Sequence, residues 1–175
     1  MSRWQTIYGQ VEPLKTNEWF TPTYLIDMVK EFYQYDFSDV ASSKKANSYI
    51  KANKIFTIED NALEQEWITK KVWLNPPYSH PLIERFVKKA IYQQNQHQFE
   101  LIMLVNNCTE TKWFQLLAKN AEMRIDIKTR LKFWHPEKKY GSNPSGQCLF
   151  YMGDRTTEFV HQFGQLGLVY GKPLQ

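Results

Sequence analysis

Residues 70–81 read KKVWLNPPYSHP, and within them Asn75-Pro76-Pro77-Tyr78 combines residue types that can handle an amino group. Each proline fixes φ and lacks an N–H, and a residue preceding a proline is pushed into extended geometry, so Asn75 and Pro76 are both held extended. The Pro76 carbonyl is then left out of any helical turn, beside the side-chain amide oxygen of Asn75. Two acceptors fixed close together suit an –NH2 group with two hydrogens to donate. In adenine, cytosine or a carboxamide that group is a poor nucleophile because its lone pair is delocalised. Accepting both hydrogens helps the nitrogen leave planarity and stabilises the positive charge developing on it, a preorganised electrostatic effect. Tyr78 adds a flat face for a planar base, a contact worth about 1–3 kcal/mol. The competing reading is a proline-rich surface turn after a strand.

The turn needs an element to present it, and KKVWLN reads as a short strand with Asn75 at its C-terminal end. Upstream, Pro22 stands near the start of a predicted helix, TYLIDMVKEFYQY, whose apolar face is Leu25, Ile26, Met28, Val29 and Phe32. YDFSDVAS reads as a strand ending at Asp39, SKKANSYIKAN is polar with weak helical character, and KIFTIED reads as a strand with Glu59 and Asp60 at its C-terminal end. Downstream, PLIERFVKKAIYQQNQ sets Leu82, Ile83, Phe86, Val87, Ala90 and Ile91 on one side of a helix, and FELIMLVNN is a continuous apolar strand. TETKWFQLLAKNA predicts a helix capped by Thr109 or Thr111 with Trp113, Leu116 and Leu117 inward. MRIDIKTRLKF and GQCLFYMG supply two more strands around a lysine-rich loop, WHPEKKYGSNPS, and the segment around TTEFVHQFGQLG a short helix with a following strand or tail. Strands alternating with helices predict an α/β sheet with helices on both faces. Ligands in such folds sit beyond the C-terminal ends of the strands. Asp39, Glu59-Asp60 and Asn75 to Tyr78 all fall on such ends, so one cleft can collect them.

With 175 residues, 42% of them hydrophobic and 15% aromatic, the chain is long enough for one domain with a real core. Residues 1–16 carry few periodic apolar positions and read as an arm, leaving 17–175 as the domain. No basic segment joins an apolar stretch near the N-terminus, and no apolar run approaches the ~20 residues that span a bilayer. A soluble, cytoplasmic protein without a membrane partner is expected. The spacing of Cys108 and Cys148 leaves a disulfide open, although a reduced intracellular pair fits better. His80, His97, His135 and His161 lack the spacing of metal ligands, so no metal is expected. The net charge of +4 and pI near 8.9 suit a polyanionic partner but decide nothing alone.

Asn-Pro-Pro-Tyr at a strand end resembles the catalytic motif of S-adenosylmethionine-dependent amino methyltransferases, which act on adenine N6, cytosine N4 or a glutamine amide. The segments NEWFTP (17–22), FSDVASSKKAN (37–47), FTIEDNALEQEW (56–67), WLNPPY (73–78), NNCTETKWF (106–114) and TRLKF followed by NPSGQ resemble, in order, the compact phage-encoded DNA N6-adenine methyltransferases, often labelled Dam-like. The likeness runs from Asn17 to about Tyr151. It implies a Rossmann-like class I methyltransferase domain with S-adenosylmethionine as cofactor and DNA as partner. Asn75, Pro76, Pro77 and Tyr78 would form the catalytic turn. Thr21 would contact the methionine carboxylate, or else simply cap the helix before Pro22. Asp39 would bind near the cofactor's amino group, with Ala41 and Ser42 giving close backbone approach; a turn aspartate is the plain alternative. Asp60, or Glu59, would accept from the ribose hydroxyls or the adenine amine, unless both are solvated loop charges. Phe133 would close a base sandwich or pack in the core.

Most methyltransferases of this broad fold carry a glycine-rich loop after the first strand, whereas this chain has no glycine between Gly9 and Gly141. A glycine-dependent phosphate cradle is thereby excluded, and with it kinases, P-loop NTPases and ordinary dinucleotide dehydrogenases. No segment is long enough to be a separate target-recognition domain. Base recognition falls to loops, with Lys138, Lys139 and Tyr140 in the 134–146 stretch as candidates, since lysines neutralise phosphates with little sequence information. Modest specificity follows. The N6 group is occluded in a duplex, so the base must be flipped or the strand single. A methyltransferase acting on RNA or on a protein glutamine amide, and a noncatalytic nucleic-acid-binding or anti-host protein on the same scaffold, are the alternatives.

Overall fold

The structure, a computed structural model of the chain, describes residues 20–135, 139–140 and 145–172. The expected N-terminal arm, residues 1–16, and Lys138 lie outside the described residues. In chain order the elements are α1 (Thr23–Phe32), β1 (Ser38–Asp39), α2 (Lys44–Ile50), β2 (Lys54–Ile55), β3 (Lys71–Leu74), α3 (Leu82–His97), β4 (Glu100–Asn106), α4 (Lys112–Asn120), β5 (Met123–Ile127), β6 (Trp134–His135), β7 (Lys139–Tyr140), β8 (Gln147–Met152), α5 (Thr156–Phe163), a 3-10 turn (Gly164–Leu166) and β9 (Gly167–Gly171).

Seven strands form one mixed sheet in the order β2-β1-β3-β4-β8-β5-β9. The first four run parallel, and β8 lies antiparallel between β4 and β5. From β1 the chain passes through α2 to β2 on one side, then returns to place β3 on the other side of β1. Strand order therefore reverses between β1 and β3, and a crevice opens beyond their carboxyl ends. Asp39 ends β1, and Asn75 follows the last residue of β3.

Alternation along the strands divides the core between two faces, as a period of two requires. Trp73, Ile102, Leu104, Leu149 and Tyr151 face α1, α2 and α5, packing with Leu25, Ile26, Val29, Ile50, Phe159 and Phe163. Val72, Leu74, Leu101, Met103, Val105, Cys148 and Phe150 face α3 and α4, packing with Ile83, Phe86, Val87, Phe114 and Leu117. All six residues of β8 are buried, as expected of a strand covered on both faces. The sheet with helices on both faces agrees with the alternation of strand and helix patterns in the sequence. Among the described residues no helix is long and apolar enough to cross a membrane.

Four local expectations are corrected. SKKANSYIKAN forms a true helix, α2, because Ser43 caps it by accepting the Ala46 N–H at 3.1 Å, and Lys51 closes it in the left-handed region at φ 61°. KIFTIED pairs only through Lys54–Ile55; Asp60 Oδ2 then accepts both the N–H and the hydroxyl of Thr57 at 2.8 Å, and this local bonding replaces the ladder with a turn. MRIDIKTRLKF leaves the sheet after Ile127, where the Lys128 N–H donates to the Leu166 carbonyl at 2.9 Å. The lysine-rich loop contains a two-stranded ribbon, with Trp134 opposite Tyr140 and His135 opposite Lys139.

Candidate active site

Asn75 is half-buried at the mouth of the crevice, and its carboxamide is held from both ends. The Tyr78 hydroxyl donates to Asn75 Oδ1 at 2.7 Å, and Asn75 Nδ2 donates to Thr21 Oγ1 at 3.0 Å. Tyr78 also approaches the Leu104 carbonyl at 3.5 Å, and burial pushes its hydroxyl pKa up, so it stays a neutral donor. Asn75 Oδ1 keeps one lone pair for a ligand. The adjoining Pro76 is buried, and no hydrogen bond reaches its carbonyl among the described residues. Of the two acceptors inferred from the sequence, the Asn75 oxygen is thus held in place by Tyr78, and the Pro76 carbonyl follows it in the chain. The hydroxyl of Tyr78 had no place in that inference; it locks the amide while the ring lines a cleft.

Thr21 is 2% exposed, and its position is fixed from the preceding residue. Phe20 forms an antiparallel bridge to Trp134, with N–H to O distances of 2.8 and 3.1 Å. The rings of Phe20, Trp134 and Tyr49 pack with centroids 4.8 to 5.6 Å apart. Tyr49 in turn donates its hydroxyl to the Thr21 carbonyl at 3.3 Å. Burial raises the pKa of Tyr49, and the negative charge of nearby Asp39 adds to that rise.

Asp39 is itself 2% exposed, and desolvation raises its carboxyl pKa from 3.8 to about 6. The neighbouring Ser42 hydroxyl and the Ala41 N–H, which donates to Asp39 Oδ1 at 3.2 Å, act against that rise. Ser42 Oγ is close enough to stabilise the charge, yet it is buried without a hydrogen bond of good geometry. Glu59 and Asp60 stand apart from this buried group. Both are exposed, and Asp60 Oδ2 is committed to Thr57, whose backbone N–H is the chief reason its pKa is lowered. They lie on a turn rather than on a strand end.

A cleft of about 410 Å³ opens beside the Pro-Pro turn, with Tyr78, Asn106, Cys108, Thr111 and Trp113 among its lining residues. Thr111 caps α4 by accepting the Phe114 N–H at 3.3 Å, which points Phe114 and Leu117 into the core and leaves Trp113 half-buried in the cleft wall. Trp113 and Leu116, expected inward with Leu117, pack against the core from its margin, and Trp113 also lines the cleft. Phe133, a candidate for the base sandwich, is 5% exposed and packs in the core with Leu131. It is a core residue. Lys139 and Tyr140 form β7, opposite β6. Cys108 and Cys148 are both free, and Cys148 donates to Asp126 Oδ1 at 3.0 Å.

A buried carboxylate and a paired acceptor turn at one sheet end coincide with a match of residues 10–163 to the family model for DNA N-6-adenine-methyltransferase (Dam). The chain belongs to the DNA N-6-adenine-methyltransferase (Dam) family. A DNA N-6-adenine-methyltransferase of Haemophilus phage HP1 (strain HP1c1) is 32% identical over 120 residues, which cover 68% of this chain and 67% of that protein. A DNA N-6-adenine-methyltransferase of Escherichia phage T1 is 35% identical over 138 residues, covering 78% of this chain and 54% of the phage protein. The chain thus spans about two thirds of one relative and about half of the other. Among solved structures, precorrin-6y C5,15-methyltransferase from Geobacter metallireducens GS-15 superposes with a TM-score of 0.38 at 9% identity, covering 80% of this chain and 96% of that one. That likeness is too distant to bear on function; the strand order carries the fold.

For a Dam family member, the unpaired polar atoms in the interior fit the cofactor that a methyltransferase needs. Folded interiors leave few buried polar atoms without partners. Here Ser42 Oγ near Asp39 and Trp134 Nε1, whose ring packs on Phe20 and Tyr49, are two of them. An amino-acid moiety with an ammonium and a carboxylate is the kind of group that could satisfy such a set. Sequence reasoning missed Tyr49, Trp113 and Trp134. Only the aromatic enrichment of the chain hinted at them.

Proposed function

We propose that the chain transfers the methyl group of S-adenosylmethionine directly to N6 of an adenine in DNA. Family membership supports the reaction class, and the carrying observation is the Asn75 carboxamide, fixed between Tyr78 and Thr21 with one lone pair of Oδ1 to spare. When bound, S-adenosylmethionine supplies an electrophilic methyl group on a sulfonium. Asp39 and Ser42 would hold its ammonium, and Thr21 its carboxylate. Asp60 engages Thr57 through Oδ2, which leaves Oδ1 as the oxygen that would accept from a ribose hydroxyl, with Glu59 beside it as the other candidate.

Asn75 Oδ1 and the Pro76 carbonyl accept the two N6 hydrogens and help the nitrogen pyramidalise, so that its lone pair is directed at the methyl carbon. A nitrogen–carbon bond forms as the carbon–sulfur bond breaks, without a covalent enzyme intermediate. The extra proton on nitrogen leaves to water, because an amide oxygen is not a base. The adenine would leave its helix to reach Asn75, beside the cleft that Tyr78 and Trp113 line. Lys138, Lys139 and Tyr140 would meet the backbone around it, giving salt-sensitive binding with modest sequence preference.

Calorimetry with S-adenosylmethionine, followed by methyl incorporation into adenine-containing and adenine-free DNA oligonucleotides, tests this reading. Incorporation confined to adenine-containing DNA is expected. Asn75→Ala should lower turnover by about 10²–10³-fold, the cost of one lost transition-state hydrogen bond, while cofactor affinity changes little. Near-normal turnover in that variant, or methyl transfer only to RNA or a glutamine peptide, would overturn the proposal.

A further inference from the structure

The hydroxyl of Thr21 has one hand occupied and one hand open. Its oxygen accepts the Asn75 Nδ2–H at 3.0 Å, and among the described residues no group accepts its proton. The residue is 2% exposed, so bulk water is a poor substitute. The backbone on the same residue reaches the other way, since its carbonyl accepts from Tyr49, which lies within electrostatic reach of Asp39. Thr21 therefore links the catalytic amide, through its hydroxyl, to Tyr49, through its carbonyl, and Tyr49 feels the charge of Asp39. Its contact with Asn75 joins residues 54 positions apart in the chain.

We infer that Thr21 is a positioning residue through which cofactor binding orients the amide of Asn75, making cofactor and target base bind cooperatively. The inference rests on the functional reading above and adds a coupling to it. With the cofactor's carboxylate at Thr21, the hydroxyl donates to it while still accepting from Asn75. Asn75 Nδ2–H, Thr21 Oγ1–H and the carboxylate then form one chain of hydrogen bonds that polarise in the same direction. An amide whose nitrogen is held this firmly cannot rotate, so Oδ1 stays turned toward the place where the amine arrives. Without the carboxylate the Thr21 oxygen still accepts from Asn75 at 3.0 Å, but its own proton has no acceptor to fix it, so this contact lacks the strengthening that the completed chain of hydrogen bonds supplies. Linkage makes the effect reciprocal: a base on Asn75 raises cofactor affinity by the factor that cofactor raises base affinity.

The test uses S-adenosylhomocysteine, which carries the same carboxylate but no transferable methyl group. Its affinity is measured by calorimetry with and without a DNA duplex bearing the target adenine, and base extrusion is followed by 2-aminopurine fluorescence at that position. Wild-type protein should show mutual tightening within the ordinary allosteric range of about 5- to 150-fold. Thr21→Val, close to isosteric, should bring the coupling to about onefold and lower kcat more than it weakens S-adenosylhomocysteine. Thr21→Ser, which keeps the hydroxyl, should restore both. A merely structural threonine would lower thermal stability in Thr21→Val while leaving the coupling factor intact, and that result overturns the inference. Wild-type protein that methylates DNA but shows no coupling also overturns it, with the functional reading untouched. Failure of the wild type to bind S-adenosylhomocysteine at all would instead bring down both.

Discussion

The Tyr78 hydroxyl donates to the side-chain oxygen of Asn75 at 2.7 Å, so the aromatic residue of the turn restrains the amide it was expected only to accompany. The two functions of Tyr78 can be separated by substitution. Tyr78→Phe keeps the ring in the cleft wall and removes the donor; kcat should fall by about tenfold, the worth of one ordinary hydrogen bond, with DNA affinity nearly unchanged. Tyr78→Ala should lose both, weakening DNA binding by a further factor of about ten to one hundred as the stacking face disappears. Steady-state kinetics with fluorescence-anisotropy titration checks the split.

Asp39 links stability to pH in an unusual direction. Its folded pKa is raised to about 6 from 3.8, so between about pH 4 and pH 6 the folded protein holds a proton that the unfolded chain has released. That contribution to stability is fully present below pH 4 and is lost as pH rises through 6, a change of about 3 kcal/mol from the size of the shift. Asp39→Asn should therefore raise the melting temperature of the ligand-free protein at pH 7.5. The same variant should lose most of its affinity for S-adenosylmethionine, and wild-type affinity should decline below about pH 6 as the carboxylate protonates. Calorimetry across pH 5 to 8, paired with thermal melts, measures both.

Trp113 and Phe133 should exchange the roles that their neighbourhoods in sequence suggest. Phe133→Ala empties a core site and should cost about 3–5 kcal/mol of stability. Trp113→Ala, which removes packing at the margin of the core, should cost less stability than Phe133→Ala yet bind DNA about ten- to one hundred-fold more weakly, as expected for loss of a stacking surface. Urea denaturation and DNA titration of the two variants side by side distinguish them.

Arg155 joins three elements far from the crevice. Its guanidinium grips Glu100 at 2.9 and 2.7 Å, reaches the Phe32 carbonyl at 3.3 Å and lies 4.1 Å from the Phe32 ring centroid. Arg155→Ala should destabilise the fold by about 2 kcal/mol, since both charges are mostly shielded from water, and should leave the ratio of kcat to KM unchanged at temperatures where the protein stays folded. Thermal melts and kinetics at 20 °C check this pair of expectations.

The parts of the molecule that repeat a local pattern were legible in the sequence. β3, β4, α3 and α4 follow apolar periodicity, and the Pro-Pro turn announces its own geometry through two fixed φ angles. What escaped was set by contacts across long separations or by competition within a turn. Nothing near Thr21 indicates that its hydroxyl meets Asn75, and nothing near Phe20 indicates a bridge to Trp134. KIFTIED has the composition of a strand, yet a single carboxylate reaching back three residues to Thr57 ends it. Trp113 and Phe133 are both large aromatics beside polar residues, and only the exact angle of α4 and the exit of the chain after Ile127 decide which one reaches the cleft.

The long stretch without glycine has one further consequence. Gln34, Tyr35, Lys51, Asn61 and Gln98 all adopt left-handed backbone, with φ from 51° to 61°, where an ordinary side chain is disfavoured by about 1–2 kcal/mol. Four of the five are solvent-exposed, so their side chains contribute little packing in return. Natural chains settle just above the stability that selection demands and leave improvements of this kind unused. These corners are a reserve for engineering heat tolerance: glycine at Gln34, Lys51 and Gln98 would relax the backbone at sites remote from the Pro-Pro turn in sequence, adding robustness with the reacting groups untouched.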